Sequence, residues 1–128
     1  MPKHILIADD EPAMARTLQM HLESKGYVVT VALDGREALQ QLDAGRPDLI
    51  ILDVSMPYAS GFEVLEIIRD SPDTRSIPVI IVTAKASDPD IVQGWRSGAD
   101  CYLTKPIDTT ELMTFIERIL NPLEEKKE

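Results

Sequence analysis

The chain has 128 residues, of which 44% are hydrophobic and 27% are charged, as is typical of one soluble globular domain. Its net charge of -9 argues against a nucleic-acid-binding surface, which needs a basic face, and its single cysteine, Cys101, excludes an internal disulfide. No apolar run approaches the roughly 20 residues of a membrane span, and the amino terminus lacks the apolar segment of a secretion signal. We therefore expect a cytoplasmic protein without membrane association.

The first part of the chain alternates between the patterns of buried strands and amphipathic helices. An apolar run over residues 5–8 predicts a strand, and Pro12 fits the first turn of a helix whose apolar residues recur at four-residue spacing. A second, valine-rich strand is predicted over 27–33. A turn at Asp34-Gly35 then leads into a second helix, which ends at Gly45.

Strand and helix patterns alternate five times along the whole chain. The remaining predicted elements are a strand over 49–53, a helix from Gly61, a strand over 79–82, a helix over 87–97, a strand over 100–104 and a helix capped by Asp108 or Thr109. With right-handed crossovers, this alternation requires a parallel sheet with helices on both faces. We predict a flavodoxin-like (βα)5 doubly wound α/β domain over residues 1–121, with strand order 2-1-3-4-5, followed by a charged tail or linker over 122–128.

Polar side chains stand where four of the predicted strands end: Asp9 and Asp10, then Asp53, Thr83 and Lys105. The carboxyl ends of parallel strands share one edge, where neighbouring strands lie about 4.8 Å apart. Lys105 would lie two strands from Asp53, roughly 10 Å, a gap that a lysine side chain can span. Three carboxylates about 4 Å apart repel by several kcal/mol per pair at an effective dielectric near 20. Magnesium would relieve this repulsion and align a phosphoryl group with Asp53 as the nucleophile.

These residues resemble the receiver domains of two-component response regulators, and the resemblance covers about residues 3–120. The matching motifs, which follow one another in the order of that family, are Asp9-Asp10-Glu11-Pro12, Asp53 with Met56-Pro57 and Gly61, Thr83-Ala84, and residues 98–106 ending in Lys105-Pro106. Each motif is weak alone, but the ordered set is a strong signal.

The resemblance implies a phosphorylation site centred on Asp53. This residue would accept a phosphoryl group from a sensor histidine kinase, a phosphotransfer protein or a small donor such as acetyl phosphate. Asp10, Asp53 and the Ser55 backbone carbonyl would bind Mg²⁺ directly, while Asp9 would act through water. The domain would assist its own phosphorylation and dephosphorylation but would be a signalling domain rather than an enzyme.

The resemblance also implies a conformational switch. Lys105, the Thr83 hydroxyl and the Ala84 amide would bind the phosphoryl oxygens, and the Lys105–Pro106 peptide bond would be cis. Tyr102 would be the aromatic switch residue, turning inward when Thr83 moves towards the phosphate. The surface that signals outward would comprise the helix predicted over 87–97, the fifth strand and the last helix.

Other interpretations of these residues stay open. A magnesium phosphatase could use Asp53 as its nucleophile, although Ser55 stands where the haloacid-dehalogenase type has its general acid. A flavodoxin-like flavin binder would need a phosphate-binding loop after the first strand, where the acidic residues 9–11 would repel the phosphate. Taken singly, each polar residue also has a structural explanation: Asp10 or Glu11 as a helix cap, the others as turn or strand-end residues. Together these explanations would require one sheet edge to gather all the groups by accident.

Two alternatives also stay open for how the domain passes on its signal. The chain would be either a single-domain regulator that binds a protein partner or the amino-terminal receiver of a longer protein, such as a DNA-binding regulator. In either form we expect a monomer or a phosphorylation-dependent dimer, with no direct contact between this domain and nucleic acid.

Overall fold

A five-stranded parallel sheet forms the centre of the fold, in a computed structural model that describes residues 2–56, 59–84 and 98–121. The strands are β1 (His4–Ala8), β2 (Val28–Ala32), β3 (Leu49–Asp53), β4 (Val79–Thr83) and β5 (Cys101–Thr104). The described helices are α1 (Pro12–Ser24), α2 (Gly35–Ala44), α3 (Gly61–Asp70) and α4 (Thr109–Leu120). The strand order is β2-β1-β3-β4-β5, so the predicted topology is confirmed. The helix predicted over 87–97 and the tail over 122–128 lie outside the described residues.

The sheet separates two apolar cores, and successive residues of its strands point into one core and then the other. Helices α2 and α3 cover one face, where they pack on residues such as Leu6, Ile50 and Ile81. Helices α1 and α4 cover the opposite face, packing on Ile5 and Ile51 among others. β3 and β4 are buried along their whole length, because helices cover both faces. Their unbroken apolar runs follow from this double burial.

Side-chain caps fix the starts of three helices. The Asp34 carboxylate accepts a hydrogen bond from the Glu37 N–H at 2.7 Å, so the residue pair expected to form a turn also starts α2. Ser60 and Glu63 form a reciprocal capping box at the start of α3. Asp108, rather than Thr109, caps α4. These caps set where the loops at the carboxyl edge of the sheet end.

Gly61 lets α3 begin directly against the end of β3. A Cβ atom at this position would collide with the carbonyl oxygen of Asp53 and would lie 3.1 Å from the Cα of Val54. The Gly61 N–H donates to the Val54 carbonyl at 3.0 Å, which closes the loop that follows Asp53. The absence of a side chain at residue 61 therefore helps to position residue 53.

Among the helices that the structure describes, none has both the length and the apolar composition that a bilayer span requires.

Candidate functional site

Three aspartates meet at the carboxyl edge of the sheet. Ala8 pairs with Leu52 across β1 and β3, so Asp9 and Asp53, which follow them, are neighbours. One carboxylate oxygen from each of Asp9, Asp10 and Asp53 lies within 4.8 Å of the others. Asp9 and Asp53 are only 3% and 5% exposed, whereas Asp10 is open to solvent. Hard divalent cations such as Mg²⁺ favour a group of carboxylate oxygens, so the donor set fits such an ion.

Backbone N–H groups orient the two buried carboxylates. The Glu11 N–H donates to Asp9 Oδ1 at 2.9 Å, and the Ser55 N–H donates to Asp53 Oδ1 at 3.3 Å. In both aspartates the second oxygen, Oδ2, is the one nearer the Lys105 ammonium. Each buried carboxylate is thus held between its own loop and the end of β5.

Lys105 reaches across the sheet edge to these carboxylates. Its Nζ lies 3.2 Å from Asp53 Oδ2, 3.0 Å from Glu11 Oε1 and 3.7 Å from Asp9 Oδ2. The side chain therefore spans the two-strand gap that separates β5 from β3. Because a single ammonium faces three carboxylates, the cluster keeps a net negative charge.

Thr83 lies at the end of β4, between the strand ends that carry Asp53 and Lys105. Asp53 pairs with Val82 of β4, so Thr83 extends one residue beyond Asp53, and the Thr83 side chain is buried. The Thr83 carbonyl accepts the Lys105 N–H at 2.8 Å, and the following Lys105–Pro106 peptide bond is cis. Ala84, the next residue on the chain, is exposed. The hydroxyl, the ammonium and the carboxylate expected from the sequence thus come from adjacent strand ends.

Tyr102 lies on β5, opposite Ile81 of β4. It is half-buried and packs against the core beneath α2 and α3, whereas its neighbours Cys101 and Leu103 are buried in the other core. Thr83 pairs with Thr104 on the same two strands, so Tyr102 lies two residues before the partner of Thr83.

The surroundings of the site raise the pKa values of both Asp53 and Lys105. Burial, as the largest effect, and the Asp9 carboxylate raise the pKa of Asp53, whereas Lys105 and the Ser55 N–H lower it; the net result is a rise from 3.8 to about 6. Burial lowers the pKa of Lys105, but its hydrogen bond to Glu11 and the charges of Asp53 and Asp9 outweigh burial and raise the pKa overall. At neutral pH the site therefore combines a protonated Lys105 with an Asp53 carboxylate that is ionised at an electrostatic cost.

Glu11 is the contact that the sequence did not predict. It occupies the N-cap position of α1, but its side chain makes no capping hydrogen bond and instead pairs with Lys105. The two residues are 94 positions apart in the chain, and no local pattern relates them. Only the folded sheet edge brings them together.

Comparison with known proteins gives a family match over nearly the whole chain. The model of the response regulator receiver domain matches residues 5–117. The DNA-binding dual master transcriptional regulator RpaA of Synechocystis sp. is 41% identical over 120 residues, which cover 94% of this chain and 49% of that protein. The chain spans half or less of the length of several curated relatives that it matches.

Solved structures agree with the family match. A CheY-like response regulator receiver domain protein from Methanospirillum hungatei JF-1 has a TM-score of 0.89 and 30% identity, covering 98% of this chain and 99% of that chain. The Mn²⁺-bound form of response regulator Rcp1 has a TM-score of 0.79 and 31% identity, covering 91% of this chain and 93% of that chain. Neither comparison supports the phosphatase hypothesis.

Proposed function

The chain belongs to the response regulator receiver domain family, as its motifs indicated, and from this premise we propose that Asp53 is its phosphoacceptor. The observation that carries this assignment is the position of the Asp53 carboxylate, which is buried, lies within reach of two further aspartates and is 3.2 Å from the Lys105 ammonium. A carboxylate in this setting can attack phosphorus while neighbouring groups stabilise the phosphoryl oxygens.

The proposed reaction is a transfer between two oxygens, or from nitrogen to oxygen. An Asp53 carboxylate oxygen forms a bond to phosphorus while the bond from phosphorus to the donor breaks. The electron pair of the broken bond leaves with the donor, which is a histidine side chain in a kinase or phosphotransfer protein and acetate in acetyl phosphate. Lys105 stabilises the phosphoryl oxygens by charge, and the Thr83 hydroxyl and Ala84 N–H donate hydrogen bonds to them.

We propose that Asp9, Asp10, Asp53 and the Ser55 backbone carbonyl form a Mg²⁺ site. The support for this is the donor set, which consists of hard oxygens with carboxylates within 4.8 Å of one another. A bound Mg²⁺ would neutralise the negative charge shared by these carboxylates and an incoming phosphoryl group. In this proposal Asp10, Asp53 and the Ser55 carbonyl bind the ion directly and Asp9 acts through water, as the family resemblance implies.

Thr83 and Tyr102 are the proposed switch. When the Thr83 hydroxyl turns to the phosphoryl group, it changes the packing space beside β4, and Tyr102 of the neighbouring strand turns inward to fill it. The output surface then comprises β5, α4 and the segment over 87–97, which lies outside the described residues. Through this surface the domain would control a protein partner or a fused output domain.

Partners and location follow from the same proposal. The domain receives its phosphoryl group from a sensor histidine kinase or a phosphotransfer protein in the cytoplasm, and it acts as a monomer or as a phosphorylation-dependent dimer. Nucleic-acid contact, which the name of RpaA indicates for that regulator, would belong to a fused domain rather than to this acidic receiver. Residues 1–121 form the receiver in this proposal, and 122–128 form a tail or linker.

Incubation with Mg²⁺ and acetyl phosphate tests the assignment. We expect one hydroxylamine-labile phosphoryl group per chain by intact mass spectrometry, lost in Asp53→Asn and retained in the surface control Asp73→Asn. Unchanged labelling of Asp53→Asn would remove this residue from the role. Sustained turnover of a phosphomonoester that depends on Asp53 would instead favour the phosphatase over the signalling domain.

A second variant tests the role of Lys105. Lys105→Ala should still accept some phosphoryl group, because the nucleophile is intact, but should lose most of the conformational response. Amide chemical shifts in the presence of beryllofluoride and Mg²⁺ measure that response. If beryllofluoride changes the amide chemical shifts of Lys105→Ala as much as those of the wild type, Lys105 does not have the proposed role in the conformational response.

A further inference from the structure

Glu11 faces the proposed site from the solvent side. Its side chain is 61% exposed, whereas the side chains of Asp9 and Asp53, which hold the same ammonium, are 4% and 6% exposed. The Lys105 side chain between them is 17% exposed. An incoming phosphodonor approaches from solvent, where the Glu11 carboxylate is exposed and the carboxylates of Asp9 and Asp53 are not.

Glu11 also accepts one of the hydrogen bonds that the Lys105 ammonium can donate. An ammonium group has three N–H donors, and the two shortest contacts of this one are to Glu11 at 3.0 Å and to Asp53 at 3.2 Å. A phosphoryl group that needs Lys105 must therefore share it with Glu11. Competition for the ammonium and direct charge repulsion act in the same direction, and both disfavour a free anionic donor.

We propose that Glu11 is a specificity-determining residue that lowers the reactivity of the site towards small, free, anionic phosphodonors. The inference rests on the proposed phosphorylation of Asp53. Glu11 leaves the transfer itself unchanged: the Asp53 oxygen still bonds to phosphorus as the donor bond breaks and acetate leaves with the electron pair. It makes the binding of the negatively charged donor less favourable.

The Glu11 side chain can be replaced without removing the backbone contact to Asp9 or a helix cap. The bond to Asp9 Oδ1 comes from the Glu11 backbone N–H, which any replacement other than proline keeps. The side chain caps no helix end and is mostly in solvent. Glu23, an exposed residue near the end of α1, offers a control with the same change in net charge away from the site.

The test measures phosphorylation rates of the wild type, Glu11→Gln, Glu11→Ala and Glu23→Gln with Mg²⁺ and a series of acetyl phosphate concentrations. Both Glu11 variants should react faster below saturation, on the order of threefold at low ionic strength, because both remove the charge. The gain should appear in the concentration for half-maximal rate rather than in the maximal rate. It should shrink at high salt, where the screening length is short, and with phosphoramidate, which carries less negative charge. Glu23→Gln should match the wild type.

Three results would overturn the proposal. These are equal or slower rates in Glu11→Gln, an equal gain in Glu23→Gln, or a gain that does not depend on salt. If an equal rate in Glu11→Gln is accompanied by a slower rate in Glu11→Ala, the role of Glu11 is to anchor Lys105 by a hydrogen bond. A wild-type chain that accepts no phosphoryl group would refute the proposed function itself, and the inference with it.

Discussion

Two clusters of charged side chains lie at opposite edges of the same sheet, and they differ in how well their charges and hydrogen bonds are matched. At the carboxyl edge, one ammonium, Lys105, faces the carboxylates of Asp9, Glu11 and Asp53. At the amino-terminal edge, one guanidinium, Arg69 of α3, lies between the chain segments that lead into β4 and β5.

In the Arg69 cluster, the hydrogen bonds equal the N–H donors of the guanidinium in number. A guanidinium has five N–H donors, and Arg69 makes five hydrogen bonds, to two oxygens of the backbone before β4, to the Gly98 carbonyl twice and to the Asp100 carboxylate. The same oxygen of Asp100 also accepts the Val79 N–H at 2.8 Å, which joins β4 to the start of β5. Gly98 allows the close approach: its φ is +93°, and a Cβ there would lie 3.1 Å from Arg69 Nε.

The contrast separates a structural cluster from a functional one. Around Arg69, one cation meets one carboxylate and several carbonyls, so the contacts stabilise the fold as it stands. Around Lys105, burial and then the Asp9 carboxylate raise the pKa of Asp53, and the excess of carboxylates leaves negative charge that a cation would offset. This unbalanced charge is the feature that supports the proposed Mg²⁺ site at this edge.

The largest effect expected from this comparison is on the Arg69 cluster. Arg69→Ala should lower the free energy of unfolding by about 3 kcal/mol, because one partly buried carbonyl, two carbonyls nearer to solvent and the Asp100 carboxylate lose five hydrogen bonds together. Urea denaturation followed by circular dichroism measures the change. The variant should still accept a phosphoryl group in the fraction that is folded.

Arg46→Ala is the matched control for that prediction. Arg46 pairs with Asp73 at 3.0 Å, but the two side chains are 59% and 67% exposed. Removing an exposed pair should cost less than about 1 kcal/mol. Similar losses in the two arginine variants would show that the Arg69 contacts are no more stabilising than a surface ion pair.

The next effect, of opposite sign, is at the carboxyl edge. In the folded chain the pKa of Asp53 is about 6, above its ordinary value of 3.8, so folding favours the protonated form. The stability linked to this group is complete below pH 3.8 and is lost as the pH rises through 6. Asp53→Asn, which stays neutral, should therefore be more stable than the wild type by roughly 1–3 kcal/mol at pH 7 without divalent cations.

Unfolding measured from pH 4 to pH 8 in the presence of a chelator tests this prediction. The gain of Asp53→Asn should fall towards zero as the pH is lowered from 7 to 4. A variant that is less stable than the wild type at pH 7 would show that the Lys105 contact outweighs burial and the charge of Asp9.

The two clusters also differ in how far the sequence predicts them. The carboxyl edge was predictable because apolar runs that end in Asp9, Asp53 and Thr83 mark buried strands, and parallel topology brings such ends together. The contact between Glu11 and Lys105 was not, because it depends on the reach of two side chains from distant loops. Arg69 had no sequence signal either, since four of its five bonds go to backbone carbonyls, which every residue type carries.

The smallest expected effect is the one that tests the charge imbalance most directly. Mg²⁺ at ten times its Kd should stabilise the folded chain by about 1.4 kcal/mol, if it binds only the folded form, and Asp10→Asn should lose most of that gain. Asp10 is exposed, so its substitution changes the ligand set with little effect on packing. Arg69→Ala should keep the same gain, because the two clusters lie at opposite edges and share no residue, so their contributions add. An equal response to Mg²⁺ in the wild type and Asp10→Asn would place the ion elsewhere and would leave the excess of carboxylates around Lys105 without its proposed cause.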